Sequence, residues 1–259
     1  MAEDRRPFIF RAESYVEPVS PLWSAPQDVE YPVTYQEARE RLSNQVATAT
    51  TELAQLPQDR RLDEVVMCVP IHPRFTATSY YPSSFFHHSG LRDVGSRPFQ
   101  TQHNERQGQS KVFFVRASDQ SVAQLEELLS ERRPALPGQW EKDIRTLDGF
   151  FLPSRENQLM GFSDAWEKGR VEFLLHPFHD SEDELEELHL KFQDVLKEVA
   201  VSEESIKFRS YPGGPIFASC YLRLEQLEAV AGFNPLRAVR PLERASIPCA
   251  VAITVEAPE

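Results

Sequence analysis

The chain has 259 residues, 41% hydrophobic and 26% charged, the balance of a globular protein with material for one large domain or two small ones. Acidic residues outnumber basic ones 40 to 28, and the basic clusters are pairs only (Arg5-Arg6, Arg60-Arg61, Arg132-Arg133), which argues against nucleic acid as a partner. Cys68, Cys220 and Cys249 stand alone in apolar runs and read as reduced buried thiols; with no signal-peptide core and no apolar run of ~18 residues, a cytoplasmic protein without membrane contact is expected.

Residues 1–33 carry five prolines (Pro7, Pro18, Pro21, Pro26, Pro32), which predicts an extended arm. "TYQEARERLSNQVATATTELAQL" then reads as an amphipathic helix. Thr34 and Glu37 have capping-box spacing, and Tyr35, Ala38, Leu42, Val46, Leu53 and Leu56 share one face. Next come "EVVMCVPI" as a strand and "PSSFFHHSGL" as a short helix opened by Pro82 and closed by Gly90. "LRDVGSRPFQTQ" is extended, "KVFFVRA" is a strand, "SDQSVAQLEELLSERR" is a capped helix, and "DIRTLDGFFLP" is extended again.

After the spacer "SRENQLMGFSDAWEKG" the same order returns. "RVEFLLHPF" is a strand. "SEDELEELHLKFQDVLKEVA" is the clearest helix, with a capping box at Ser181 and Glu184 and a stripe of Leu185, Leu188, Phe192, Val195, Leu196 and Val199. "IKFRSYPGGPIFASCYL" is two strands about Pro212-Gly213-Gly214, "RLEQLEAVAGF" a helix, and "NPLRAVRPL" the last strand. His72-Pro73 and His176-Pro177 both end a first strand, and Leu125 matches Leu227 at nearly the same offset. The expected fold is α+β: two tandem ferredoxin-like (β-α-β-β-α-β) units. The expected domains are a Pro-rich arm plus helix (1–60), a first unit (61–155), a second unit (168–245) and an extended tail or linker (246–259).

The stretch "IHPRFTATSYYPSSFFHHSG" (71–90) holds three histidines and five aromatics and is the densest candidate for chemistry. His72 and His176 recur at one structural position before proline, where a ring nitrogen can satisfy a loose backbone group. His87 and His88 diverge by about 100° on a helix, and no HExxH, GxGxxG, P-loop or GxSxG motif is present. The acidic run 182–187 reads as a solvated helix face. No catalytic residue, metal site or cofactor is expected from the residues.

The segment "IHPRFTATSYYPSSFFHHSGLRDVGSR" resembles the N-terminal region of a group of bacterial subtilisin-like serine peptidases often encoded beside an AAA-type ATPase. His72, Pro73, Ala77, Ser79, Tyr80, Pro82, Gly90, Leu91, Val94, Gly95, Ser96 and Arg97 carry the resemblance, Thr78 stands where that group has lysine, and "FNPLRAVRPL" is similar to the segment before its peptidase domain. The catalytic Asp, His and Ser motifs of subtilisins are absent. The resemblance therefore implies a non-catalytic prodomain or regulatory module, either a truncated piece or a separately made one, that folds, inhibits or targets a peptidase domain in cis or in trans. It also implies a strand-prone tail, Cys249, Ala250, Val251, Ala252, Ile253, Thr254 and Val255, that enters the protease cleft or else adds to a sheet edge. The alternative is an independent interaction module that docks on the ATPase or senses a ligand.

Overall fold

The computed structural model describes residues 30–75, 80–103, 106–130, 135–178, 180–210 and 214–242, with backbone only at 100–103 and 106–109. Residues 1–29 of the expected N-terminal arm and the whole expected C-terminal tail lie outside the described residues. The protein is mixed α+β with two antiparallel sheets.

Helix α1 (Tyr35–Gln55) opens with the expected box: the Thr34 hydroxyl accepts from the Glu37 N–H, and the Glu37 carboxylate accepts from the Thr34 N–H at 2.8 Å. Its buried stripe is Ala38, Leu42, Val46, Ala49 and Leu53. Strand β1 (Val65–Pro70) is buried throughout, as a strand covered on both faces must be. Helix α2 (Ser83–Ser89) follows and ends at Gly90, whose φ of 69° is the left-handed conformation that glycine adopts at little cost. A long hairpin, β2 (Arg92–His103) and β3 (Arg106–Ala117), leads to α3 (Asp119–Leu129) and α4 (Gly138–Thr146). The sheet order is β1-β3-β2, and α1 to α4 pack on one another beside it.

The stretch 143–153 departs from the sequence expectation. Its beginning belongs to α4, because Trp140, Asp143 and Ile144 bury together at helical spacing. What remains of the expected strand is two single bridges to the β1 segment, Leu147 to Ile71 and Phe151 to Cys68. The expected spacer holds a short helix, α5 (Arg155–Gln158), and Leu159 bridges to Val239.

The second sheet is regular. Strands β4 (Lys168–Leu175), β5 (Lys207–Ser210), β6 (Ile216–Arg223) and β7 (Leu236–Pro241) lie in the order β5-β6-β4-β7, with α6 (Glu182–Glu198) after β4 and α7 (Leu224–Val230) after β6. Alternate residues Val171, Phe173, Leu175, Ile216, Ala218, Cys220 and Leu222 share a core with Leu188, Phe192, Val195, Leu196, Leu227 and Val230 of these helices. Ser181 caps α6 as expected, but the other half of the box is not made. The Glu184 carboxylate instead accepts from the Asp180 N–H and from Arg116 of β3. The acidic first turn is therefore in part an ion-pair surface.

The described residues from Pro32 to Leu242 pack as one unit. The core of the second half continues into Leu62, Val66, Cys68, Val112 and Phe114 of the first. The Asn234 side chain spans this seam: its Oδ1 accepts from the Val66 N–H at 2.7 Å and its Nδ2 donates to the Val66 carbonyl at 3.0 Å. Arg116, almost fully buried, pairs with Glu64 at 2.5 Å, Glu184 at 2.9 Å and Asp180 at 3.1 Å, with its guanidinium 4.2 Å from the Phe178 ring centroid. Among the described residues no helix is long and apolar enough to cross a membrane.

Replacing Asn234 by Ala leaves two buried backbone groups of β1 without partners. Each orphaned group costs about 1–3 kcal/mol, so urea denaturation of Asn234→Ala should show a loss of about 2–6 kcal/mol. Phe192 is fully buried between Phe173 and Phe233, and Phe192→Ala should cost roughly 3–5 kcal/mol in the same assay.

Candidate functional site

The first part of the singled-out stretch is framework. His72 is buried; its Nδ1 accepts from the Arg74 N–H at 3.3 Å, and its backbone N–H donates to the Thr146 carbonyl. Pro73 opens a single 3-10 turn ending at the buried Phe75. The Tyr80 hydroxyl lies 2.7 Å from Thr146 Oγ1 and 3.4 Å from Asp143 Oδ1. Pro82 sits at the N-cap of α2 and has no capping side chain, so the cap comes from elsewhere. Asp143 of α4 supplies it: its Oδ2 accepts from the Ser84 N–H at 2.9 Å and the Phe85 N–H at 3.1 Å, while Gln139 donates to Oδ1. Burial pushes the Asp143 carboxyl up, against the pull of these hydrogen bonds. Phe85 and Phe86 are core residues that pack on Trp140 and Phe113. Ala77 and Ser79 lie outside the described residues, as do Cys249, Ala250, Val251, Ala252, Ile253, Thr254 and Val255.

His176 shares one feature with His72: its N–H donates to the carbonyl of Pro235, as that of His72 does to Thr146. Its ring differs. His176 is fully buried, and neither ring nitrogen has a hydrogen-bond partner, so the expected backbone-satisfying role is not filled here. The ring packs on Phe114, 4.6 Å between centroids. Burial first, then the charges of Arg237 and Arg97, push its pKa well below the ordinary histidine value and hold it neutral.

Gly95, Ser96 and Arg97 lead to a different place. In β2 the register shifts between Asp93 and Gly95, leaving Val94 as the extra residue of a bulge; Asp93 Oδ1 accepts the Gly95 N–H at 2.9 Å. Gly95 has φ 122°, and a Cβ there would stand 3.0 Å from Arg237 Nη1. In β7 Leu174 pairs with Ala238 but Leu175 with Leu236, so Arg237 is the extra residue of a second irregularity. The two bulges meet. Arg237 Nη2 donates to the Ser96 carbonyl at 2.9 Å, and the Arg97 and Arg237 guanidiniums lie 5.3 and 5.2 Å from the centroid of the Phe114 ring.

Beside them opens a cleft of about 400 Å³ lined by Arg97, Met160, Leu174, Phe217, Arg237 and Ala238, with Glu172 and Arg240 closing it. Arg240 is paired with Glu172 at 2.5 Å. Arg97 and Arg237 are half-buried and, among the described residues, contact no carboxylate; Arg97 Nη1 reaches only Met160 sulfur at 3.7 Å, and Asp93 attracts Arg237 from beyond ion-pair distance. Burial lowers the pKa of both, and Arg97 lowers that of Arg237 further. Sequence reasoning found Arg97 through the motif but missed Arg237, Glu172, Phe217 and Arg240; "LRAVR" reads as a plain strand, and only the register reveals the bulge.

No family model and no curated protein matches the chain. Among solved structures, the acetolactate synthase small subunit from Thermotoga maritima aligns at 10% identity and TM-score 0.21, covering 69% of this chain and 92% of its own. A candidate glycine cleavage system transcriptional repressor aligns at 13% identity and TM-score 0.18, covering 64% of this chain and 87% of its own. At such TM-scores neither likeness bears on function.

Asp143→Ala orphans two N–H groups at the start of α2 and should cost about 2–4 kcal/mol in denaturant unfolding, whereas Asp143→Asn, which keeps an acceptor, should cost less. Because the folded carboxyl is raised, its contribution is full below the ordinary carboxylate value and declines as pH rises through the raised one; Asp143→Asn should remove that part of the stability profile. Burial pushes Cys68 and Cys220 up to about 12, so both thiols should resist a disulfide reagent in the folded protein and react after denaturation.

Proposed function

We propose that the protein is a non-catalytic regulatory module of the subtilisin-like peptidase kind, built from two ferredoxin-like units in tandem, which engages its partner through the face of the second sheet turned away from α6 and α7. The order β5-β6-β4-β7 supports the ferredoxin-like reading of the second unit, and the bridges of Leu147 and Phe151 beside β1 support it for the first. The observation that carries the docking surface is the composition of that face. Arg170 and Tyr221 pair across it, as do Glu172 and Ser219, Leu174 and Phe217, Lys207 and Ser219, and Arg209 and Phe217. Tyr221 is 58% exposed, so a large ring stands in solvent among cations on a chain of net charge −12. An exposed aromatic opposite an arginine, on a face that also carries Lys207 and Arg209, has the composition of an interface centre, and the charge fits an acidic patch on a catalytic domain. The strand-prone sequence 249–255 supplies the proposed second contact, in the protease groove or else at a sheet edge.

The chain should inhibit the catalytic domain of a peptidase from the resembling group when added in trans. Tyr221→Asp should weaken inhibition at least tenfold with the melting temperature unchanged. Truncation of residues 246–259 should reduce inhibition and leave binding. Absence of complex formation in size-exclusion chromatography would reject the reading, and full inhibition by both altered chains would move the contact elsewhere.

A further inference from the structure

We propose that the cleft between β2 and the β4–β7 edge of the second sheet is a binding site for a small organic anion, its carboxylate or phosphate group held by Arg97 and Arg237 and its apolar body lying on Leu174, Phe217 and Ala238. The inference does not depend on the docking reading and concerns the chain alone.

Three independent observations carry it. The first is charge. Two half-buried guanidiniums line one cleft, and among the described residues their contacts are a carbonyl, a thioether and the face of Phe114. Desolvating two like charges without a counter-charge is unfavourable, and a bound anion removes the imbalance. Arg240 does not share the need, since Glu172 neutralises it, and Asp93 acts only at longer range.

The second is backbone. A bulge in β2 and another in β7, from different sheets, deliver Arg97 and Arg237 to the same opening. Bulges re-aim side chains and concentrate next to active sites. A glycine at the first of them leaves the space in which the Arg237 guanidinium lies.

The third is the lining. About 400 Å³ is a small-molecule volume, and Met160, Leu174, Phe217 and Ala238 give it an apolar floor. An apolar wall with two convergent cations selects an amphipathic anion over an inorganic one. Behind Phe114 the ring of His176, buried with both nitrogens unpartnered and held neutral, contributes neither a competing charge nor a counter-ion.

Isothermal titration of the full chain at low ionic strength tests this with four probes: phenyl phosphate, phenylacetate, inorganic phosphate and benzyl alcohol. Saturable binding of phenyl phosphate or phenylacetate is expected, the tighter of the two identifying the head group, with inorganic phosphate weaker and benzyl alcohol not bound. Arg97→Met and Arg237→Met should each weaken the aryl anion by about tenfold or more, the loss of a charge-assisted contact. Arg97→Met without ligand should melt at the wild-type temperature or above, because one of two repelling cations is gone, whereas Arg237→Met also gives up the bond to the Ser96 carbonyl. Binding of neither aryl anion, wild-type affinity in both variants, equal binding of benzyl alcohol, or a fall in the melting temperature of free Arg97→Met would overturn the proposal.

Discussion

Everything in this protein depends on how β1 is enclosed. Val65 to Pro70 is buried throughout, and Val66 and Cys68 sit in the core of the second half of the chain. A strand so enclosed cannot leave a backbone group for water to satisfy. At Val66 the two groups turned toward the second half are met by one primary amide, Asn234, the side-chain type that offers a donor and an acceptor together. The bond pair joins residues 168 positions apart and sets where α7 and β7 lie against the first sheet. Arg116, the cross-strand partner of Val66 on β3, holds the same seam through three carboxylates, a buried cation with its charge compensated.

The contrast with Arg97 and Arg237 follows from that arrangement. The seam brings β2 of one sheet against β7 of the other, and each strand is irregular where they meet. One pole of the interface is saturated with carboxylates; the other holds two cations and an open cleft. Proteins that satisfy local rules nearly everywhere tend to break them where they bind something. The cleft also opens on the outward face of the second sheet, since Leu174, Phe217 and Arg240 (paired with Glu172) belong to both. A small anion seated there changes the charge that this face presents.

Local order was legible in the residues. The capping box at Thr34 and Glu37, the stop at Gly90, the stripe of Leu188, Phe192, Val195 and Leu196, and the alternation in β6 each rest on neighbours within a turn or a strand. Where the reading missed, a distant partner had won. Glu184 left its box for Arg116, and the stretch beginning at Asp143 is helical because Trp140, Asp143 and Ile144 are needed in the core. Asp143 as the cap of α2, Asn234 as the clamp on Val66 and Arg237 as a bulge residue act over separations of about 60 to 170 positions, and periodicity carries no sign of them. The motif around His72 to Arg97 was visible as a motif but not as two things: a framework half closed by Asp143 and a half that opens on the cleft.

The central claim is that the two sheets share one core and that this shared seam is what places Arg97 beside Arg237. Differential scanning calorimetry of the chain tests it most directly. One cooperative transition, with calorimetric and van't Hoff enthalpies equal, is predicted. Two separable transitions, one for each sheet and its helices, would contradict it.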